Sequence, residues 1–277
     1  MAVLLSLLSA TVYGVGDFCG GMATKRSTAG AVLLWSHVVG LALIVALLPV
    51  VGGVLTAHDL VIGALGGLGG AAGVGLLYQA LSIGPMSVVA PVTALLAAAL
   101  PVVTGIATGD RPGVAAGIGM VLALVAIVLV SAEGGGSLRP SDLRGVMFAM
   151  GAGLGFGVFF VALSYTGEDA GMWPLVAARG ASVTVMGLLA LAGRVSAAVP
   201  AGDPRRMTAA AGALDALANV LYLLAVRQGL LSVVSVLSSL YPVSTIVLAR
   251  VVLGERFIAI QRVGMALAIP ATILMAY

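Results

Sequence analysis

The chain has 277 residues, of which 61% are hydrophobic and 8% are charged, with a formal net charge of +3. Soluble domains carry about 25% charged residues, so this composition excludes a soluble globular protein and indicates an integral membrane protein. The arginines form no basic run, which argues against a nucleic-acid partner. Cys19 is the only cysteine, and the two histidines, His37 and His58, are far apart. We therefore predict no disulfide, no metal site and no cofactor.

Ten apolar segments are each near the roughly 20 residues that a helix needs to cross a bilayer. The first lacks the basic start of a cleavable signal, so we expect it to be retained. The sequence therefore predicts an all-α membrane protein with ten transmembrane helices. The segments lie at about 2–22, 30–51, 61–81, 85–108, 112–131, 145–165, 171–192, 207–226, 230–252 and 258–276.

One stretch occurs twice, at an offset of 145 positions. Gly84–Arg111 and Gly229–Arg256 both begin with glycine, continue with about 20 apolar residues and end with glycine, an acid and arginine. Because the start and the end of the stretch both match at the same offset, we infer an internal repeat. We predict a first five-helix repeat at 1–131, a connecting loop at 132–144 and a second repeat at 145–277. Because five is an odd number of crossings, the copies should insert in opposite orientations, with the substrate site near mid-membrane.

Glycines and prolines interrupt the apolar segments. Glycines four residues apart, such as Gly63 and Gly67, leave a flat strip on which another helix can pack closely. Pro91, Pro101 and Pro242 each remove a backbone hydrogen bond inside an apolar run. These prolines are hinge candidates for a transport movement; static kinks are the alternative.

The polar residues within the apolar segments are the candidates for binding substrate or a coupling ion. An ionised side chain at the bilayer centre costs about 2.5–3.5 kcal/mol on insertion scales, and it usually faces a cavity or a partner. Asp215, Asn219 and Tyr222 follow the three- and four-residue spacing that places side chains on one helix face. That face predicts a cavity lining or, alternatively, a buried polar cluster. The candidates are Asp17, Trp35, His37, Tyr78, Gln79, Arg179, Asp215, Asn219 and Tyr222.

Three of these candidates have more than one possible role. Arg179 remains protonated, so it requires an anion: Asp17, Asp215 or a substrate carboxylate. Asp17 could bind a cationic group, carry a proton, or lie at the surface. His37 could exchange protons near neutral pH or remain neutral in a hydrogen bond between helices.

The second copy of the repeat, from Tyr241-Pro242 to Gly254-Glu255-Arg256, resembles the EamA-type permeases of the drug/metabolite transporter superfamily. The first copy departs from that pattern, with Asp110 where glutamate is usual and Ala98 near the position of a proline. The resemblance implies two five-helix halves and the movement of small metabolites by alternating access. It does not name a substrate.

These observations favour a secondary active transporter for a small polar or amphipathic metabolite (an amino acid, a sugar or a drug-like compound) in the plasma (inner) membrane. The expected partners are this substrate, the lipid bilayer and a coupling proton or ion, and the chain should be a monomer, with a dimer as the alternative. No nucleotide-binding motif is present. A channel, a structural membrane protein and an intramembrane enzyme are the rival functions. The 5% aromatic content disfavours a cage of rings for a bulky aromatic cation.

The charges of the connections predict an orientation. Basic residues favour the cytoplasmic side, so the charge bias places both termini outside, whereas the resemblance implies that both are cytoplasmic. Only Arg111 and Arg227 lie in even-numbered connections. The odd-numbered ones contain Lys25, Arg26, Arg139, Arg144, Arg194, Arg205, Arg206 and Arg256.

Overall fold

A computed structural model of the protein describes residues 1–83, 86–130, 140–253 and 258–277. Across these ranges the chain forms eleven α-helices, with a short 3-10 turn at Glu168–Ala170 between α6 and α7. The helices are α1 (Ala2–Thr24), α2 (Ala29–Val51), α3 (Ala57–Ile83), α4 (Met86–Thr108), α5 (Val114–Val130), α6 (Pro140–Ser164), α7 (Trp173–Leu191), α8 (Asp203–Val226), α9 (Leu231–Ser238), α10 (Tyr241–Leu253) and α11 (Ala259–Met275).

Eight spans in the described ranges are long and apolar enough to cross a membrane: seven single helices and the pair α9–α10. The remaining two, α5 and α11, are apolar helices of 17 residues each. At 1.5 Å per residue they are about 26 Å long, close to the roughly 30 Å of a hydrocarbon core. The ten spans match the ten predicted segments, and the all-α, multi-pass membrane fold is confirmed.

The helices pack mainly across the two halves of the chain. α1 packs on α8 and α3 packs on α6, while α5 packs on α11 and α2 on α7. Suppose that each of the first five spans is replaced by its counterpart in the second five, and the reverse. The α1–α8 pair then becomes the α3–α6 pair, and the α5–α11 and α2–α7 pairs stay the same. Two structurally related repeats would give this pairing pattern, and the division into repeats at 1–131 and 145–277 stays a prediction.

Glycines allow α3 to approach the backbone of α7. A Cβ atom on Gly67 would lie 2.3 Å from the Cα of Ala178, and one on Gly63 would lie 2.4 Å from the carbonyl oxygen of Pro174. The obstructing atoms belong to the backbone, which cannot rotate away as a flexible side chain can. The close helix packing predicted from the glycine spacing is confirmed at this interface.

Gly67→Ala is therefore expected to destabilise the protein by about 1–3 kcal/mol, the usual cost of forcing extra atoms into a packed interior. The matched control is Gly117→Ala in α5, where an added Cβ has no neighbour within 4 Å. That control should be neutral or slightly stabilising, because alanine favours helix more than glycine does. Thermal unfolding in detergent measures both, and equal midpoints for the two variants would contradict the packing argument.

The ninth span is broken, although the sequence predicts one helix over 230–252. α9 ends at Ser238 and α10 begins at Tyr241. Pro242 has no amide hydrogen, so it cannot donate to the carbonyl of Ser238 four residues earlier. Its counterpart α4 continues as one helix through Pro91 and Pro101. Of the three hinge candidates, Pro242 alone lies at a break between helices, and a hinge role for any of them remains a prediction.

The repeated Gly-acid-Arg sequence ends α4. Gly109 has a φ of +121°, a conformation that residues with a Cβ rarely adopt. Asp110 then accepts a hydrogen bond through Oδ2 from the backbone N–H of Ser232, at 2.8 Å, in the first turn of α9. A carboxylate is stabilised at a helix N-terminus, so the end of the first repeated stretch is tied to the start of the second. Gly84 and the second Gly-acid-Arg sequence, 254–256, lie outside the described residues.

Candidate functional site

A cavity lies between the two halves, close to the middle of several spans. α1 and α3 contribute to it from the first half, and α6, α7, α8 and α10 contribute from the second. Its lining combines carboxylates, a guanidinium and aromatic rings. The residues are Tyr13, Asp17, Gly67, Gly70, Val74, Phe156, Phe159, Phe160, Ala178, Arg179, Asp215, Asn219 and Tyr241.

Arg179 and Asp215 form an ion pair within this cavity, between Nη2 of the guanidinium and Oδ2 of the carboxylate. The side chain of Arg179 is 9% exposed and that of Asp215 is 27% exposed, so the carboxylate is the more accessible member. Of the two protein anions considered for Arg179, Asp17 and Asp215, the structure therefore pairs it with Asp215.

His37 holds Arg179 from the opposite side. Its Nε2 lies 2.8 Å from Nη1 of Arg179, and arginine only donates, so Nε2 accepts. The ring proton of a neutral imidazole is then on Nδ1, which donates to Oγ of Ser182 at 2.8 Å. The Ser182 hydroxyl donates in turn to the carbonyl of Arg179 at 3.0 Å. His37 is 2% exposed and positions the guanidinium, which corresponds to the neutral, hydrogen-bonded alternative.

Asn219 joins α8 to α1 at the cavity wall. The Tyr13 hydroxyl donates to Oδ1 of Asn219 at 2.7 Å, and Nδ2 of Asn219 donates to the backbone carbonyl of Asp215 at 2.6 Å. Asp215 and Asn219 therefore share the cavity, as the sequence predicted for that helix face.

Tyr222, the third residue of that face, does not line the cavity. It is 0% exposed, and its hydroxyl lies 2.9 Å from Oγ of Ser235. Its ring stacks on Phe160 with a centroid separation of 4.3 Å. Tyr222 instead connects α8 to α6 and α9, which corresponds to the buried-cluster alternative.

Asp17 lines the cavity and is partly exposed. It forms no ion pair and no hydrogen bond through its carboxylate with any other residue that the structure describes. The alternative of a surface acid beside Lys25 and Arg26 does not agree with this position. Asp17 is thus the acid in the cavity that is left for a substrate group or a proton.

Aromatic rings are concentrated around these charges, although the chain as a whole contains few. Three of the six phenylalanines, Phe156, Phe159 and Phe160, line the cavity. Tyr13 and Tyr241 add two phenols, and the buried hydroxyl of Tyr241 has no hydrogen-bond partner among the described residues. The low overall aromatic content is therefore a poor guide to the composition of this site.

The volume of the cavity is about 40 Å³. A water molecule needs about 10–15 Å³ of such space, whereas sites for drug-sized ligands measure about 300–1,000 Å³. In this conformation the cavity therefore has room for a few water molecules and is too small for a metabolite.

Residues 143–277 match the model of the EamA-like transporter family. The second half of the chain is thus similar to the members of this family. That family is part of the drug/metabolite transporter superfamily, so the resemblance stated from the sequence is confirmed. A solved structure described as "Crystal structure of protein" matches 99% of this chain and 95% of its own length, with a TM-score of 0.80 and 18% identity. At that identity the similarity shows a shared fold and no more. No curated protein matches the sequence.

Three of the predicted site residues are not among the residues that line the central cavity. Trp35 is 46% exposed and donates through Nε1 to the carbonyl of Ala197 at 2.8 Å. Tyr78 is 4% exposed, with its hydroxyl against Gly20. Gln79 is exposed on the surface of α3. A role in the central site is therefore not supported for Trp35 and Gln79, whereas Tyr78 lies behind the cavity wall, against α1.

Several residues at or beside the central cavity were not predicted from the sequence: the three phenylalanines of α6, Ser182 and the cavity position of Tyr241. The repeat contained one usable signal. Tyr13-Gly14-Val15 aligns with Phe156-Gly157-Val158, and Tyr13 and Phe156 occupy the cavity wall from opposite halves.

Proposed function

We propose that this protein is a secondary active transporter that moves a small polar or amphipathic metabolite by alternating access through the central cavity. The two halves, 1–131 and 145–277, would act as inverted five-helix repeats that rock against each other. The observation that carries the proposal is the set of ionisable side chains at the interface between the halves, in a cavity too small for a metabolite. To seat a substrate against Asp17 and Asp215, the cavity would have to widen, as it would when the halves move apart.

The lining suggests the class of substrate. Asp17 lacks a protein cation, so it is suited to a protonated amine, and the faces of Phe156 and Phe159 attract cations and accommodate apolar groups. Arg179 is held by Asp215 and His37, which leaves Asp17 as the acid for the ligand. We therefore favour a metabolite that carries an amino group beside an apolar body, such as an amino acid or an amine drug, over a sugar.

Purified protein tests this proposal in two stages. A thermal-shift screen of amino acids, amines, nucleosides and sugars should identify a ligand, because binding to the folded state alone raises the unfolding temperature. Flux of that ligand into proteoliposomes should then saturate and accelerate when unlabelled ligand is present on the other side. Protein-free vesicles are the control. Flux without saturation or trans-stimulation would instead support a channel.

We also propose that the protein lies in the plasma (inner) membrane with both termini on the non-cytoplasmic side. Ten spans place the odd-numbered connections, which contain most of the basic residues, on one side of the bilayer, and that side should be cytoplasmic. A periplasm-active reporter fused after Tyr277 should be active, whereas the same reporter inserted in the connection 193–202 should be inactive. The reverse pattern would show that both termini are cytoplasmic, as the family resemblance implied.

A further inference from the structure

A second cavity, of about 520 Å³, lies where α2 and α8 begin. Its walls include Trp35 and Val39 from α2, Arg205 and Ala209 from α8, and Ala197 and Val199 from the connection before α8. This volume falls within the range of small-molecule sites.

The second cavity is separate from the central one. Between them α2 and α8 touch, because a Cβ atom on Gly212 would lie 2.1 Å from the carbonyl oxygen of Ser36. On α8 the residues that precede Gly212 line the second cavity, and Asp215, which follows it, lines the central cavity. The seam between α2 and α8 therefore divides the two spaces.

The second cavity opens at the outer surface of the helix bundle rather than into the central cavity. Trp35 is 46% exposed and Ala209 is also exposed, and exposed faces of spanning helices contact lipid. Trp35 lies six residues after the start of α2, about 9 Å along the helix, at the interfacial depth where tryptophan is enriched. Its hydrogen bond to Ala197 fixes the ring at the rim.

Arg205 supplies an unneutralised charge at the polar end of this cavity. Its Nε donates to the carbonyl of Val199 at 3.1 Å, which orients the guanidinium. Within the described part of the chain Arg205 forms no ion pair, not even with Asp203, two residues earlier. The two Nη groups can then bind two oxygens of a phosphate at once.

We propose that this cavity binds an anionic phospholipid. The phosphate would bind Arg205, and an acyl chain would lie along Val39 and Ala209 beside the ring of Trp35. Each part of the cavity matches a part of such a lipid: a cation at the headgroup depth, an indole at the interface and an apolar wall toward the bilayer. This site is distinct from the proposed transport site and does not depend on its substrate.

Tryptophan fluorescence tests the proposal directly. The chain has two tryptophans, so Trp173→Phe leaves Trp35 as the single probe. In vesicles, brominated phosphatidylglycerol should quench Trp35 with an affinity on the order of fivefold higher than brominated phosphatidylcholine, the gain expected from one basic contact with an anionic lipid. In the same background Arg205→Gln should abolish the preference. The matched control, Arg206→Gln, changes a neighbouring exposed arginine that does not line the cavity and should retain it.

Several outcomes would overturn the assignment. Equal quenching by the two lipids, or a preference that survives Arg205→Gln, would show that Arg205 does not bind the lipid phosphate. If soluble glycerol phosphate displaces the anionic lipid at low concentration, the site binds a free phosphate compound instead. Should Arg205→Gln not be recovered in folded form, the unsubstituted Arg205 protein still decides the matter. Its preference must weaken as salt is raised, and a salt-independent preference would contradict the proposal.

Discussion

Asp215→Asn should destabilise the folded protein by about 3–5 kcal/mol, because it leaves the guanidinium of Arg179 in the membrane core without its counter-charge. The change should also remove transport, since Arg179 and Asp215 together form one wall of the central cavity. Unfolding in detergent measures the first effect, and flux in proteoliposomes measures the second.

The double variant Arg179→Gln/Asp215→Asn is the control that separates charge from shape. It removes both members of the pair, so it should recover much of the stability that the single variant loses. Transport should remain absent, because His37 and the cavity lose the guanidinium. A single Asp215→Asn variant as stable as the parent would show that the ion pair does not stabilise the folded state.

Asp17→Asn should have the opposite combination of effects: transport falls sharply while stability is unchanged or improves. Asp17 has no cation or hydrogen-bond donor among the described residues, so the substitution leaves no protein charge uncompensated. If the carboxylate binds an amine or a coupling proton, the loss of one charge-assisted contact should lower substrate affinity or flux on the order of 10- to 100-fold. Saturable uptake, compared with unfolding curves, measures this separation.

Asp169→Asn is the matched control for Asp17→Asn. Asp169 is an exposed acid in the connection between α6 and α7, outside the cavity, so its neutralisation should leave uptake and stability at the parent level. Parental uptake by Asp17→Asn would eliminate this acid as a substrate or proton site. A large loss of stability would show that it has a structural partner instead.

The spans were predictable because long apolar runs between short polar connections allow few other interpretations. The cavity was predictable only in part, and Tyr222 shows why. It lies on the same helix face as Asp215, but seven residues further along α8, or about 10 Å. There Phe160 stacks on its ring and closes the space. Helix periodicity gives the direction of a side chain around the axis, whereas the length of a cavity depends on the opposing helix.

The aromatic lining illustrates a different limit. Composition is an average over the chain and contains no information on where the rings collect. Phe156, Phe159 and Phe160 do follow the three- and four-residue spacing of one helix face, so the local sequence held a signal that the 5% total concealed. Trp35 and Gln79 show the converse, because a polar or amphipathic side chain in an apolar span can also face outward, at the surface of the helix bundle.

The unequal fourth and ninth spans have a consequence for kinetics, if the halves rock as proposed. α4 is one continuous helix, whereas α9 and α10 are separated at Ser239–Leu240 and can bend relative to each other there. The two faces of the protein then open by different motions, with different barriers. Half-saturating substrate concentrations measured from the two sides should therefore differ. The concentration ratio at which net flux stops depends on the driving gradient alone, and the broken helix leaves it unchanged.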